Sequence, residues 1–207
     1  MLEVRDLTVV RGGRTLLERV AFTVEPGEAL LLTGPNGIGK TSLLRVLAGL
    51  APAPTGEVRM ANDAFAYMGH LDGLKPTLTV RENLAFWAKL HGGRSDGRIV
   101  EALRSFDLAE LLQISVSDLS AGQRRRAGLA RLVLLERPLW LLDEPTVTLD
   151  AASTALFERM LEGHLRAGGG AVISTHLPIS GAGRLDLAAF HPMPGTAPDP
   201  FLDEAWT

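Results

Sequence analysis

Apolar positions along this chain follow two periods, one of two residues and one of three to four. The opening segment has the shorter period. Leu2 and Val4, then Leu7 and Val9, alternate roughly with polar residues, and Val20, Phe22 and Val24 alternate cleanly before a Pro26-Gly27 turn, so strands are predicted here. Ala29–Thr33 is a short continuous apolar run, the pattern of a strand buried on both faces. Gly34–Gly39 leads into Thr41–Leu50, where Leu43, Leu44, Leu47 and Leu50 recur at helical spacing. The reading is strand, glycine loop, helix.

The longer period governs the middle of the chain. Thr79-Val80-Arg81-Glu82 has the form of a capping box, and Val80, Leu84, Trp87 and Ala88 share one face after it. A second helix from about Ser95 gathers Ile99, Leu103 and Phe106, with His91-Gly92-Gly93-Arg94 as the link. A third runs from Ser120 to about Leu135. Together they form a helical sub-lobe over about 71–135. Leu139–Leu142 is a second buried strand, Ala151–Ala167 a helix and Ala171–Ser174 a third strand. This alternation predicts an α/β fold with a mainly parallel core sheet, antiparallel strands at the N-terminus and the helical sub-lobe inserted. One domain covers 1–190, and 191–207, with Pro192, Pro194, Pro198 and Pro200, is an extended tail.

Composition narrows the class. The chain has 207 residues, 46% of them hydrophobic, and a net charge of −3, which suits one domain with a sizeable core and excludes a disordered chain. The near balance of 21 basic and 24 acidic residues argues against a nucleic-acid partner. Without Cys there is no disulfide framework, thiol nucleophile or thiolate metal site. The longest apolar region, Leu129–Leu142, is broken by Arg131, Glu136, Arg137 and Pro138, short of the ~20 apolar residues that span a bilayer. The charged start, Met1 to Asp6, lacks a secretory signal. A soluble chain is expected, reaching a membrane only through a partner.

Three constellations carry chemistry. Gly34-Pro35-Asn36-Gly37-Ile38-Gly39-Lys40-Thr41 fits the phosphate loop G-x-x-x-x-G-K-[ST], followed by Ser42. Backbone N–H groups would encircle phosphate oxygens at the helix N-terminus, Lys40 would meet the β- and γ-phosphates, and Thr41 would offer its hydroxyl to Mg²⁺. Leu139–Leu142 ends in Asp143-Glu144, which puts two carboxylates at the carboxyl edge of the sheet. Asp143 suits Mg²⁺, and Glu144 suits activation of the water that attacks the γ-phosphate of a nucleoside triphosphate. Leu119-Ser120-Ala121-Gly122-Gln123 is the third. Ser120 is a good N-cap, and Gly122 leaves room for an anion there.

With that third element the chain resembles the ATP-binding-cassette (ABC) ATPases of the P-loop NTPase class, whose signature is L-S-G-G-Q, with Ala121 in place of the first glycine. Leu149-Asp150 matches their D-loop and Thr175-His176 their switch histidine. The resemblance implies a head-to-tail homodimer in which Ser120, Gly122 and Gln123 of one copy complete the ATP site of the other. It also implies that His176 meets the γ-phosphate and helps hold Glu144 and the water. Two positions depart from the family pattern. Arg11 stands where an aromatic residue usually stacks on adenine, and a guanidinium can cover a base face as well. His70 stands where a Gln usually senses Mg²⁺; it reads either as an acceptor from metal-bound water or as a plain surface-loop histidine.

Tyr67-Met68-Gly69-His70-Leu71-Asp72-Gly73-Leu74-Lys75-Pro76, followed by Leu78–Leu84, narrows the resemblance to the ATP-binding export family of cytochrome c biogenesis, a haem exporter family. This implies a peripheral ATPase on the cytoplasmic face of the bacterial inner membrane, docked on membrane subunits of the CcmB and CcmC type. Haem is then handled by those partners, and nothing assigns His70, His164 or His191 to iron. The alternatives are the ATPase subunit of another small drug, lipid or ion exporter, and a soluble non-transport ABC ATPase. Arg124-Arg125-Arg126 reads as a solvated, dimer-lining face. Phe201, Leu202 and Trp206 of the tail read as a patch that docks on the body or a partner.

Overall fold

The computed structural model describes residues 1–61, 64–91 and 96–192. The expectations for the tail beyond 192, for Ser95 and for the 92–94 link lie outside these residues. β1 (Leu2–Arg11) and β2 (Arg14–Val24) form a hairpin, and β4 (Glu57–Arg59) adds to the other edge of β1, giving an antiparallel sheet in the order β2-β1-β4. β3 (Ala29–Thr33), β5 (Phe65–Met68), β6 (Leu139–Asp143), β7 (Gly170–Ser174) and β8 (Gly183–Asp186) form a second sheet in the order β5-β6-β7-β3-β8, with every pairing parallel.

The period-2 rule divides the residues of this parallel sheet between two cores. Leu32, Leu139, Leu141 and Val172 face α1 (Lys40–Leu47) and the antiparallel sheet. Ala29, Leu31, Trp140, Leu142, Ala171 and Ile173 face the opposite core. That core is built by α4 (Ala121–Leu135), α5 (Ala151–Arg166), α2 (Val80–Leu90) and α3 (Asp96–Arg104). Both faces of the sheet are covered at β3, β6 and β7, which is why these strands read as apolar runs, while the edge strand β8 is exposed. Ile99, Leu103 and Phe106 are buried together as their spacing predicts.

Local signals set the helix ends. Thr79 accepts from the Glu82 N–H and Glu82 returns a bond to the Thr79 N–H, so the predicted capping box forms. Ser120 and Gln123 make a second capping box at α4. Most boundaries fall within a residue of the sequence reading, but α1 stops three residues short of it, at Leu47, and Leu50 is 56% exposed. Gly49 takes φ 66°, its N–H bonds the Val46 carbonyl, and the Leu50 N–H bonds the Arg45 carbonyl. This glycine closure ends the helix before the fourth leucine of the pattern.

The Arg124–Arg126 run is a second correction. Arg125 is buried at 3% exposure, Arg126 donates to the Phe106 carbonyl and Arg124 to the Leu119 carbonyl. Arg131, read as an interruption of an apolar stretch, is also buried. It lies 4.3 Å over the Trp87 ring and donates to the Tyr67 carbonyl, and burial pulls its pKa down to about 10. These guanidinium groups face backbone carbonyls that a packed interior leaves in need of donors.

His164 stacks on Trp140 at 3.7 Å, and burial lowers its pKa below the ordinary value of 6.5. The folded state therefore binds this proton more weakly than the unfolded chain. The contribution is complete above pH 6.5 and is lost as pH falls. The melting temperature should decline on acidification below that point, and His164→Gln should flatten the decline relative to the parent in a pH series of thermal melts.

Candidate functional site

In the parallel sheet β6, β7 and β3 are neighbours. Their carboxyl ends therefore meet, and three segments far apart in sequence arrive at one edge. β3 delivers the glycine loop. Gly34, Gly37 and Gly39 take φ of 128°, 84° and 123°, a region that side chains disfavour. At Gly39 a Cβ would also lie 3.3 Å from Leu17, so the loop rests directly on β2. Ile38 is buried beneath it. The side chain of Lys40, 9% exposed, turns back into the loop and donates to the carbonyls of Gly34 at 2.7 Å and Pro35 at 3.3 Å. α1 has no side-chain cap at its N-terminus, so its first N–H groups are directed at whatever anion the loop holds.

β6 delivers the acids. Asp143 is 2% exposed and pairs in register with Ser174 of β7. Among the described residues, Asp143 Oδ1 and Ser174 Oγ are buried without a hydrogen-bond partner. Glu144 adopts φ 49°, and its N–H donates to the Ser174 carbonyl at 2.8 Å. The turn aims the two adjacent carboxylates in different directions. β7 delivers the histidine: His176 Nε2 lies 3.5 Å from Glu144 Oε1, with His176 largely exposed and Glu144 mostly covered.

Lys40, Asp143, Glu144 and Ser174 line a cleft of about 270 Å³ whose walls also include Arg11, Asn36, Thr41 and Ser42, with His176 set against Glu144 outside that lining. Arg11, at the tip of the β1–β2 hairpin, thus shares the cleft with the phosphate loop. Gly34, Pro35 and Ile38 supply its carbonyls and its buried support. Two expected groups are placed elsewhere. Ser120, Gly122 and Gln123 stand at the N-terminus of α4 beside the 146–149 turn, where a Cβ on Gly122 would meet the Thr148 carbonyl at 3.4 Å. They are absent from the lining of the cleft. His70 lines a separate groove of about 640 Å³, which shares Thr41 and Asp143 with the cleft. Two residues were not anticipated: Ser174, legible only once β6 and β7 are in register, and Arg125, hidden in what reads as a charge run.

A glycine loop capped by a helix, a buried strand ending in Asp-Glu and a signature helix on this scaffold define a P-loop nucleotide-binding ATPase of the ABC type. The family model described as ABC transporter matches residues 17–147. The "Cytochrome c biogenesis ATP-binding export protein CcmA" of Paracoccus denitrificans is 56% identical over 86% of this chain and 84% of its own. The protein of the same name from Cereibacter sphaeroides is 53% identical over 97% of both. Among solved structures, a putative ABC transporter ATP-binding protein from Pyrococcus furiosus superposes with a TM-score of 0.83 at 27% identity, covering 92% of this chain and 99% of that one. The ATP-binding cassette MJ0796, in a dimeric post-hydrolysis state bound to ADP and Pi, gives 0.75 at 25% identity, covering 86% and 88%. The chain belongs to the ABC transporter family as an ATP-hydrolysing subunit of the CcmA kind.

Lys40 bonds only its own loop among the described residues. Lys40→Ala should therefore weaken ATP binding by about tenfold to a hundredfold, the ~1.5–3 kcal/mol of a charge-assisted contact, with little change in melting temperature. Calorimetric titration alongside thermal melts checks both.

Proposed function

We propose that this chain powers a membrane exporter of cytochrome c biogenesis, hydrolysing ATP at the cleft between the phosphate loop and Asp143-Glu144. The observation that carries this reading is the convergence of Lys40, Thr41, Asp143 and Glu144 on one cleft, with His176 set against Glu144. Gly34–Gly39 and Lys40 bind the β- and γ-phosphates. Glu144 accepts the proton of the attacking water, and His176 holds that carboxylate and donates toward the γ-phosphate. Arg11 covers the adenine.

Mg²⁺ fits the donors present. Asp143 Oδ1 is buried without a partner among the described residues, and the Thr41 hydroxyl opens on the same cleft. These are hard oxygen donors of the kind Mg²⁺ takes, together with phosphate oxygens and water. When bound, the ion neutralises charge on the β- and γ-phosphates. The binding and proton-transfer roles of Lys40, Glu144 and His176 are those of the chain itself.

The working unit in this reading is a homodimer. Ser120, Gly122 and Gln123 stand outside their own chain's cleft, so they serve the ATP bound by a second copy. The chain sits peripherally on the cytoplasmic face of the bacterial inner membrane, its membrane partners are integral subunits of the CcmB and CcmC type, and haem is handled by them. Among the described residues no helix is long and apolar enough to cross a membrane, and in this reading attachment is by those partners. The groove beside His70 supports such a contact, because Leu50 and Leu71 are exposed at 56% and 83% on its rim.

Glu144→Gln keeps the volume and loses the base. It should lower kcat by about a thousandfold while ATP still binds, the range for removing a general base, as read by phosphate release and nucleotide titration. Arg11→Ala should weaken ATP binding and leave inorganic triphosphate binding at the parental value, since only the base face loses its cover. Purification from native membranes should bring down membrane subunits with haem absorbance. A haem-free complex with some other membrane protein would remove the cargo assignment and leave the ATPase standing.

A further inference from the structure

Every nitrogen of the Arg125 guanidinium is engaged, and its partners come from two places that the ATPase reading treats separately. Nε donates to the Pro145 carbonyl at 3.1 Å, and Nη2 to the carbonyls of Asp143 at 3.1 Å and Glu144 at 2.6 Å. Nη1 donates to the carbonyls of Gly69 at 3.2 Å and His70 at 3.4 Å, and to Asp72 Oδ1 at 3.0 Å. One buried side chain thus joins the peptide planes around the two carboxylates of β6 to the 69–72 segment that borders the groove.

The backbone of Glu144 makes this join consequential. A non-glycine residue at φ 49° sits about 1 kcal/mol or more above its relaxed conformations and persists only where its surroundings over-determine it. Here the N–H of Glu144 is held by the Ser174 carbonyl and its carbonyl by Arg125. Pro145 follows and disfavours a right-handed helical alternative. Asp72 in turn anchors the guanidinium with an ion pair in which both side chains are largely buried. Gly128 of α4 leaves the space for it, since a Cβ there would lie 3.1 Å from the Asp72 Cβ.

We infer that Arg125, anchored by Asp72, is a positioning residue for Glu144: it holds the left-handed turn that aims the carboxylate into the cleft. This rests on the reading of Glu144 as the base. The phosphate loop makes no bond to Arg125 among the described contacts, so the loop's hold on the phosphates does not run through it. Losing the anchor therefore changes the chemical step and leaves nucleotide affinity alone, whereas a merely structural role would move both together.

The test uses the complex purified with its membrane partners. Arg125→Lys keeps the charge but offers one nitrogen where three are used, and should cut kcat by about a hundredfold, the scale of an ångström-sized misplacement. Because that variant leaves buried carbonyls without donors and can fail to fold, Asp72→Asn is measured beside it. Asn keeps an acceptor of the same shape and removes only the ionic share of the bond. It should lower kcat by about fivefold with KM for ATP within about twofold of the parent, while loss of the buried counter-charge lowers the melting temperature. Parental kcat in Asp72→Asn, or a fall in kcat matched by an equal loss of ATP affinity, overturns the inference. Glu144→Gln run in parallel separates the two readings. If it turns over like the parent, the base assignment falls. If it is inactive while Asp72→Asn is parental, only the positioning role falls.

Discussion

Burial of both faces of the central strands β6, β7 and β3 is the constraint from which the rest of this molecule follows. Apolar side chains fill both cores, so polar groups have no place along the strands and collect at their ends. The order β5-β6-β7-β3-β8 then sets the carboxyl ends of β6, β7 and β3 side by side. Asp143, Ser174 and the glycine loop become neighbours for that reason alone. The covering layers contribute as well: α1 must start where β3 stops, which directs its N-terminus at the phosphate loop, and the β1–β2 hairpin carries Arg11 to the same cleft.

Arginines perform a second kind of work in the interior. Arg125 and Arg131 are almost wholly buried; Arg125 donates from every guanidinium nitrogen to backbone carbonyls at strand ends and loops, and Arg131 donates from Nη2 to the Tyr67 carbonyl. Arg131 also rests on the Trp87 face, and burial brings its pKa down to about 10, so it stays charged throughout the neutral range. This explains how a chain can carry three consecutive arginines and still make no basic surface patch of them. It also ties α4, which presents the signature at its N-terminus, to the end of β6 that carries the acids.

The ATPase chemistry depends on direction as much as on identity. Asp143 and Glu144 are adjacent in the chain, yet one is sealed within the sheet edge and the other reaches His176. The reversal of φ at Glu144 produces that separation. A continued strand would send Glu144 to the face of the sheet opposite Asp143, whereas with the reversal both residues line the cleft.

Much of this was legible in the sequence because it is local. The apolar runs, the capping box at Thr79, the N-cap at Ser120 and the phosphate loop are each decided within a few residues, where periodicity and hydrogen-bonding geometry are sufficient. The order of the motifs likewise carried the family, and the match over residues 17–147 agrees with it. The end of α1 escaped, since a left-handed glycine at 49 outranks a leucine pattern that continues to 50. β5 and β8 escaped because four-residue strands draw their stability from neighbours supplied by distant parts of the chain. Arg125 escaped for the same reason. Three like charges in a row look solvated until a fold surrounds one of them with carbonyls. The sequence by itself determined the family of this protein and the motifs that make up its candidate site. The tertiary structure alone decided which of them meet, because strand order and the closure of a packed core around buried polar groups are properties of contacts between segments that no local pattern contains.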